Sequence, residues 1–218
     1  RGRTSPNPLV GAVIVQGDGI VGEGYHQKAG EAHAEVHALN QARDSARGTT
    51  LYVTLEPCCH WGRTPPCTQA VIRAGIANVF VAMADVNPRV AGNGIRELEE
   101  AGIRVQVGLC ERESRRLNEI YLKYIQTKLP FVILKSAISL DGKIATASGE
   151  SQWITSQTSR QKAHEIRDSV DAILVGIGTI LRDDPALTTR LPDGGGKTPR
   201  RIIVDSQGRT PPTAKIFH

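Results

Sequence analysis

Apolar residues alternate with small or polar ones along LVGAVIV (9–15) and again along GIVGEGY (19–25), with QGD between the two runs, which predicts a β-hairpin. Over AEVHALNQARDSA (34–46) the apolar spacing changes to three and four, the period of a helix. TLYVTLEP (50–57) reads as a strand that ends at a proline, and CTQAVIRAG (67–75) as a helix entered from Pro65–Pro66 and left at Gly75. NVFVAMAD (78–85) is a buried strand, IRELEEAG (95–102) a helix closed by Gly102, and RVQVGL (104–109) another strand. A charged amphipathic helix, ERESRRLNEIYLKYIQTK (111–128), ends before Pro130. Helices alternating with strands predict an α/β sandwich over residues 1–128.

A second, α/β unit is expected over residues 129–218. Its predicted elements are a strand FVILKSAIS (131–139), a helix near 156–169, and strands DAILVGIG (171–178) and RIIVDS (201–206). The chain opens on RGRTSPNP without an initiator methionine and stops at AKIFH before a second fold is complete, so it is read as cut short at both ends, with the second domain incomplete.

Composition narrows the function classes. Hydrophobic residues at 39% and charged residues at 22% are ordinary for a globular protein. No apolar run approaches the roughly 20 residues of a membrane span, so no membrane partner is expected. The net charge is +5, but the basic residues are dispersed and aromatics are only 4%, poor material for stacking bases; nucleic acid is not expected as a partner. A phosphorylated small substrate accounts for the mild basicity. Of four cysteines, Cys58, Cys59 and Cys67 crowd within ten residues beside His60, with Cys110 apart. That clustering speaks for metal chemistry in a reducing, cytoplasmic setting rather than for a disulfide scaffold.

The chemistry concentrates in HAEVHAL (33–39) and EPCCHWGRTPPC (56–67). One neutral imidazole and two thiolates suit zinc, and three protein ligands leave a fourth position for water. Zinc brings the pKa of that water toward 7, providing a hydroxide nucleophile, and an adjacent carboxylate that is not a ligand can pass the proton to a leaving nitrogen. His33-Ala34-Glu35 with Pro57-Cys58 matches the zinc-deaminase signature, although Cys67 lies nine residues after Cys58 where C-x-x-C is usual. The longer insertion can be a substrate-reading loop, or the ligand set can draw on Cys59 or His60 instead. Cys59 is left off the metal because adjacent side chains rarely reach one tetrahedral ion. Residues two apart on a helix diverge, so His33 and Glu35 converge only if the metal lies off the first turn.

A closed structural zinc knot is the bland alternative; the glutamate two residues after the histidine argues against it. His26 taken alone reads as a surface histidine, and His37 as packed on its helix or exposed. Gly176-Ile177-Gly178 after a strand lacks the third glycine of a dinucleotide fingerprint.

Together, SPNPLVGAVIV, HAEVHAL, EPCCHWGRTPPC and DVNPRVAGNGI resemble the deaminase domain of the bifunctional riboflavin biosynthesis proteins. LKSAISLDGKIATASGESQWIT, VGIGTILRDDPALTTR and VDSQGR resemble the reductase domain of the same family. The resemblance runs over essentially the whole chain. It implies a cytidine-deaminase-like α/β/α sandwich followed by a dihydrofolate-reductase-like α/β domain, with one zinc ion per chain in the first and NADPH in the second. It also implies two consecutive reactions. The first is hydrolytic deamination of 2,5-diamino-6-ribosylamino-4(3H)-pyrimidinone 5′-phosphate, and the second is reduction of the ribosyl group of the resulting aminouracil to ribityl.

Residue by residue, the resemblance gives His33, Cys58 and Cys67 to zinc, Glu35 to proton transfer, and Asn7, His26, His60 and Arg63 to the deaminase pocket. Ala137, Trp153, Thr179, Asp183 and Ser206 match positions that contact the nicotinamide cofactor, while Lys135, Ser151, Arg167, Leu187 and Arg190 match positions for the reductase substrate. A homo-oligomer is implied as well. The rival readings are a nucleoside or transfer-RNA deaminase, which leaves residues 130–218 unexplained, and a zinc-stabilised binding module without catalysis.

Overall fold

A two-residue turn at Gly17–Asp18, with Gly17 in the left-handed region at φ 56°, joins β1 (Gly11–Gln16) to β2 (Gly19–Tyr25) in an antiparallel hairpin. The computed structural model describes residues 2–218, which divide into the unit Arg3–Val132 and a unit of Ile133–His218 together with Gly2.

Helix α1 (Ala34–Ala42) rests directly on the backbone of β2. Ala34, Ala38 and Ala42 recur every four residues and keep that side of the helix smooth. The strand answers with glycines: a Cβ on Gly22 would stand 2.2 Å from the Ala38 carbonyl oxygen, and one on Gly24 2.5 Å from both the Ala34 oxygen and His37 Cβ. Because α1 begins within the stretch HAE, this close seat places His33 and Glu35. Gly24→Ala is therefore expected to cost about 1–3 kcal/mol through overpacking; urea unfolding measures it, and an unchanged midpoint would show that α1 does not depend on this contact.

The rest of the first unit alternates β3 (Thr50–Val53), α2 (Cys67–Ala74), β4 (Asn78–Val81), α3 (Asn93–Glu100) and β5 (Arg104–Val107). The sheet order is β2-β1-β3-β4-β5, antiparallel across β1 and parallel from β3 to β5. Ala12, Ile14, Leu51, Val53, Val79 and Val81 point from one sheet face into a core shared with Val71 of α2 and Leu98 of α3. On the other face Val13, Tyr52 and Phe80 share a register row, and the Tyr52 and Phe80 rings stack at 4.8 Å. These two rings help line a cavity of about 700 Å³ on that face; His33, Cys58 and Cys67 are not among its lining residues.

The helix predicted over 111–128 is two helices, α4 (Glu111–Leu117) and α5 (Glu119–Thr127), interrupted at Asn118. The Asn118 amide is buried and pairs with a distant backbone: Leu9 N–H donates to its Oδ1 at 2.8 Å, and its Nδ2 donates to Leu9 O at 2.9 Å. An asparagine side chain that serves another backbone is a natural place for a helix to break.

In the second unit Ser156 caps α6 (Gln157–Ser169), its hydroxyl accepting from Ser159 N–H at 3.2 Å. Strand β6 (Ala172–Gly176) passes straight into α7 (Ile177–Asp183), and β6 pairs in parallel with β7 (Arg200–Val204). The strand expected to run to residue 178 thus stops at Gly176, and Gly178 lies inside α7. Ile173, Val175 and Ile203 turn toward a small core of Ile180, Leu187, Ala214 and Ile216. The strand expected at 131–139 does not form: among the described residues no ladder includes it, and Val132 and Leu134 are 75% and 92% exposed. Strand-like composition becomes a strand only where a neighbour takes up its backbone N–H and C=O groups.

Candidate metal and active site

His33 is the N-cap of α1, in extended conformation at φ −80°, ψ 167°. Its ring therefore escapes the divergence of helical side chains, and Glu35, the second residue inside the helix, can share a site with it. Cys58 follows β3 through Glu56-Pro57, and Cys67 opens α2 after Pro66. His33 Nδ1 lies 3.2 Å from Cys67 Sγ and 3.4 Å from Cys58 Sγ, and the three ligand atoms all fall within 4.8 Å of one another. Bonds of ~2.0–2.3 Å to a tetrahedral zinc separate donor atoms by roughly 3.5–3.8 Å, so this donor set fits zinc with modest adjustment.

The electrostatics agree. The hydrogen bond with Cys67, followed by that with His33, holds the Cys58 thiol far below its ordinary value, to about 4, and Cys67 N–H also donates to Cys58 Sγ at 3.4 Å. Hydrogen bonding to Cys58 and burial push Cys67 in the opposite direction, so the two sulfurs share one proton; a metal requires both as thiolates. Burial pushes the Glu35 carboxyl up to about 7, and its Oε2 is buried without a hydrogen-bond partner. A buried carboxyl with one free oxygen beside three clustered donors, titrating near neutrality, has the properties of a proton carrier. Cys59 turns elsewhere, its sulfur 3.9 Å from the Arg89 carbonyl oxygen.

What holds Cys58 in place was not visible in the pattern of residues. Glu56 is buried, and its carboxylate accepts four backbone N–H groups: Asp85 and Gly92 on Oε2, each at 3.0 Å, and Gly94 and Ile95 on Oε1 at 2.9 and 3.2 Å. A Cβ on Gly94 would meet Pro57 O at 2.1 Å, so the start of α3 abuts the segment that carries Cys58. Thr68, beside Cys67, donates from its backbone to Cys58 O at 3.2 Å and from its hydroxyl to Glu97 of α3 at 2.9 Å. An acid directly before Pro-Cys at a strand end was the available signal; its partners lie 29 to 39 residues away.

Of the pocket residues expected from the resemblance, Asn7 and His26 meet, with Asn7 Nδ2 3.1 Å from His26 Nε2. His26 Nδ1 is 3.1 Å from Ala32 O, and its ring stands edge-on to His33 at 5.1 Å. The surface reading of His26 is thereby corrected: it is 4% exposed, because two polar partners make its burial tolerable. His60 is half-buried with Nδ1 unpartnered; Arg63 is exposed, beside Gly30. Burial depresses the His26 pKa below 6.5, so the unfolded chain takes up a proton more readily. Stability is therefore lost as pH falls through 6.5 toward the folded pKa. His26→Gln should flatten that acid limb in urea titrations at pH 7.5 and 5.5; an unaltered limb would exclude His26 as its source.

In the second unit, Arg167 of α6 donates to Thr188 O at 2.6 Å and Arg190 to Thr188 Oγ1 at 3.1 Å, next to the buried Leu187. Burial, with the charge of Arg190 second, holds the Arg167 guanidinium below its usual range, and its buried Nε has no partner. Two guanidiniums around one threonine suit an anion. Thr179 and Asp183 share α7, Ser206 follows β7, and the exposed Trp153 ring is covered by Arg160 at 4.3 Å. Lys135 and Ala137 lie on the unpaired 131–139 segment, Lys135 exposed and Ala137 half-buried, and Ser151 is half-buried. Among the described residues no hydrogen bond or ion pair joins these last three to Arg167 or Arg190.

A mixed sheet that carries a His/Cys/Cys cluster and a buried glutamate at its helix entries defines the zinc-dependent cytidine-deaminase-like class. Residues 1–83 match the family model of the cytidine and deoxycytidylate deaminase zinc-binding region, and residues 130–218 that of the RibD C-terminal domain, which is dihydrofolate-reductase-like. The riboflavin biosynthesis protein RibD of Aquifex aeolicus is 53% identical over 218 residues, covering 100% of this chain and 61% of its own length. That of Escherichia coli is 51% identical over 229 residues, covering 99% and 62%. The structure of a diaminohydroxyphosphoribosylaminopyrimidine deaminase/5-amino-6-(5-phosphoribosylamino)uracil reductase from Thermotoga maritima superposes with a TM-score of 0.93 at 45% identity, covering 100% of this chain and 62% of that one. The chain belongs to the RibD family of riboflavin biosynthesis proteins. It spans about three fifths of the length of the relatives it matches. Among the described residues no helix is long and apolar enough to cross a membrane.

Proposed function

We propose that the first unit deaminates 2,5-diamino-6-ribosylamino-4(3H)-pyrimidinone 5′-phosphate by hydrolysis, and that the second belongs to an NADPH-dependent reduction of the product's ribosyl group to ribityl. Deaminase chemistry is assigned to residues 1–128 and reductase chemistry to residues 129–218. The observation that carries the reading is the buried Glu35, one carboxyl oxygen of which has no hydrogen-bond partner, beside a three-donor cluster, in a chain about half identical to RibD proteins along its whole length. A closed structural zinc uses four protein ligands and has no use for such a carboxyl.

His33, Cys58 and Cys67 hold the zinc, which when bound supplies Lewis acidity that makes water a nucleophile near neutral pH. Glu35 takes a proton from the attacking water and delivers it to the departing amino nitrogen, which leaves as ammonia. Asn7, His26 and His60 line the pyrimidine pocket, and Arg63, exposed at its edge, meets the 5′-phosphate. In the reductase part Arg167 and Arg190 hold the substrate phosphate, with Lys135, Ser151 and Leu187 orienting the sugar. Ala137, Trp153, Thr179, Asp183 and Ser206 contact NADPH. A homo-oligomer completes the proposal, and four cysteines outside any disulfide are in keeping with a cytoplasmic setting.

Ammonia release from the diaminopyrimidine ribosyl phosphate, with cytidine as a parallel substrate, tests the deaminase reading. Release from the former alone is expected. Release from cytidine instead would move the chain to the nucleoside deaminases.

A further inference from the structure

His33 faces the two cysteines through Nδ1, at 3.2 and 3.4 Å. Its other nitrogen, Nε2, lies 3.4 Å from the hydroxyl of Thr64. An imidazole that binds a metal through one nitrogen carries its proton on the other, and the acceptor of that N–H sets both the tautomer and the plane of the ring. We infer that Thr64 is a positioning residue for the metal centre: its hydroxyl accepts the Nε2–H of His33 and holds the Nδ1 lone pair between Cys58 and Cys67.

The surroundings of the ring favour this pairing. On one side stands His26, in edge-on contact at 5.1 Å, but both of its nitrogens are engaged, by Asn7 and by Ala32 O. Thr64 is half-buried and sits in the segment joining the two cysteines. Gly62 N–H donates to Thr64 O at 3.2 Å, closing a tight turn ahead of it. Pro65 and Pro66 follow, and Pro66 is the N-cap of α2 at φ −57°, ψ 135°. Two fixed φ angles leave little freedom between the hydroxyl and Cys67 two residues beyond the first proline. One short stretch thus delivers a ligand and, three residues earlier, the group that aims the histidine. The long spacing between Cys58 and Cys67 acquires a role: it gives the connection enough length to pass over the far edge of the His33 ring.

The inference rests on the metal reading of His33, Cys58 and Cys67, and its test separates the two. Zinc affinity is measured by chelator competition on the full chain, for wild type, Thr64→Val and Thr64→Ser. Cobalt-loaded samples are compared by visible absorption, and metal-free samples by thermal unfolding. Thr64→Val keeps the shape and loses the acceptor, so zinc should bind about 10–100-fold more weakly. Its cobalt bands should shift, while its metal-free melting stays at the wild-type value. Thr64→Ser should restore both affinity and spectrum. Wild-type affinity and spectrum in Thr64→Val would overturn the inference, as would a loss of zinc that merely follows a loss of the metal-free fold. A wild-type chain that takes up no zinc would remove the metal reading and this inference together.

Discussion

On the proposed deaminase reading, Glu35→Gln is expected to keep its zinc and to release ammonia about 10²–10⁴-fold more slowly than the wild-type chain. Glu35 is 3% exposed and lies beside the three donors that could hold a metal, without being one of them, so the isosteric amide should leave the packing of α1 and the donors intact. What the amide cannot do is take a proton from water and hand it on. Burial pushes the carboxyl up to about 7, close to the pH at which a proton carrier must both accept and release. The measurement pairs zinc content with ammonia release from the diaminopyrimidine ribosyl phosphate. Full activity in the variant would return the site to a structural role. Loss of zinc together with activity would show instead that Glu35 helps to build the cluster.

Glu56→Ala should cost the first unit on the order of 3–5 kcal/mol, as for removal of one partner from a buried charged network. The carboxylate is the common acceptor of four backbone N–H groups from 85–95, and alanine leaves all four inside the protein without it. Each orphaned group costs about 1–3 kcal/mol before relaxation. Glu56→Gln, which keeps one acceptor oxygen, should fall between the two. Urea unfolding followed by far-ultraviolet circular dichroism gives the stability. Amide hydrogen exchange at Asp85, Gly92, Gly94 and Ile95 reports the loss locally. Wild-type protection at these four amides in Glu56→Ala would show that the loop is held by other contacts.

The two residues stand at opposite ends of what can be read without coordinates. Glu35 belongs to a three-residue motif whose chemistry is explicit, since a proton carrier beside a metal histidine is a local statement. Glu56 has no such statement: its partners are N–H groups, which every residue but proline offers, and only the return of the chain after β4 brings them to it. Thr64 and Asn118 are similar, each a polar side chain whose meaning lies in a group 31 or 109 residues away.

Element type followed the spacing of apolar residues wherever one face of an element is buried and the other is not. The hairpin, α1 to α3 and the parallel strands β3 to β5 therefore lie where periodicity puts them, within a few residues. Residues 131–139 have the composition of a strand yet form none, because a ladder needs a second backbone and composition cannot supply one. The amino-acid sequence by itself determined the α/β class, the His/Cys/Cys set with its glutamate and the family, since all of these reside in residue types and their order along the chain. Only the tertiary structure decided that His33 stands just outside its helix, so that ring and carboxylate converge, that Glu56 gathers four N–H groups from 85–95 behind Cys58, and that the Thr64 hydroxyl comes within 3.4 Å of His33 Nε2. Those outcomes depend on directions in space, and directions are set by which segments pack together.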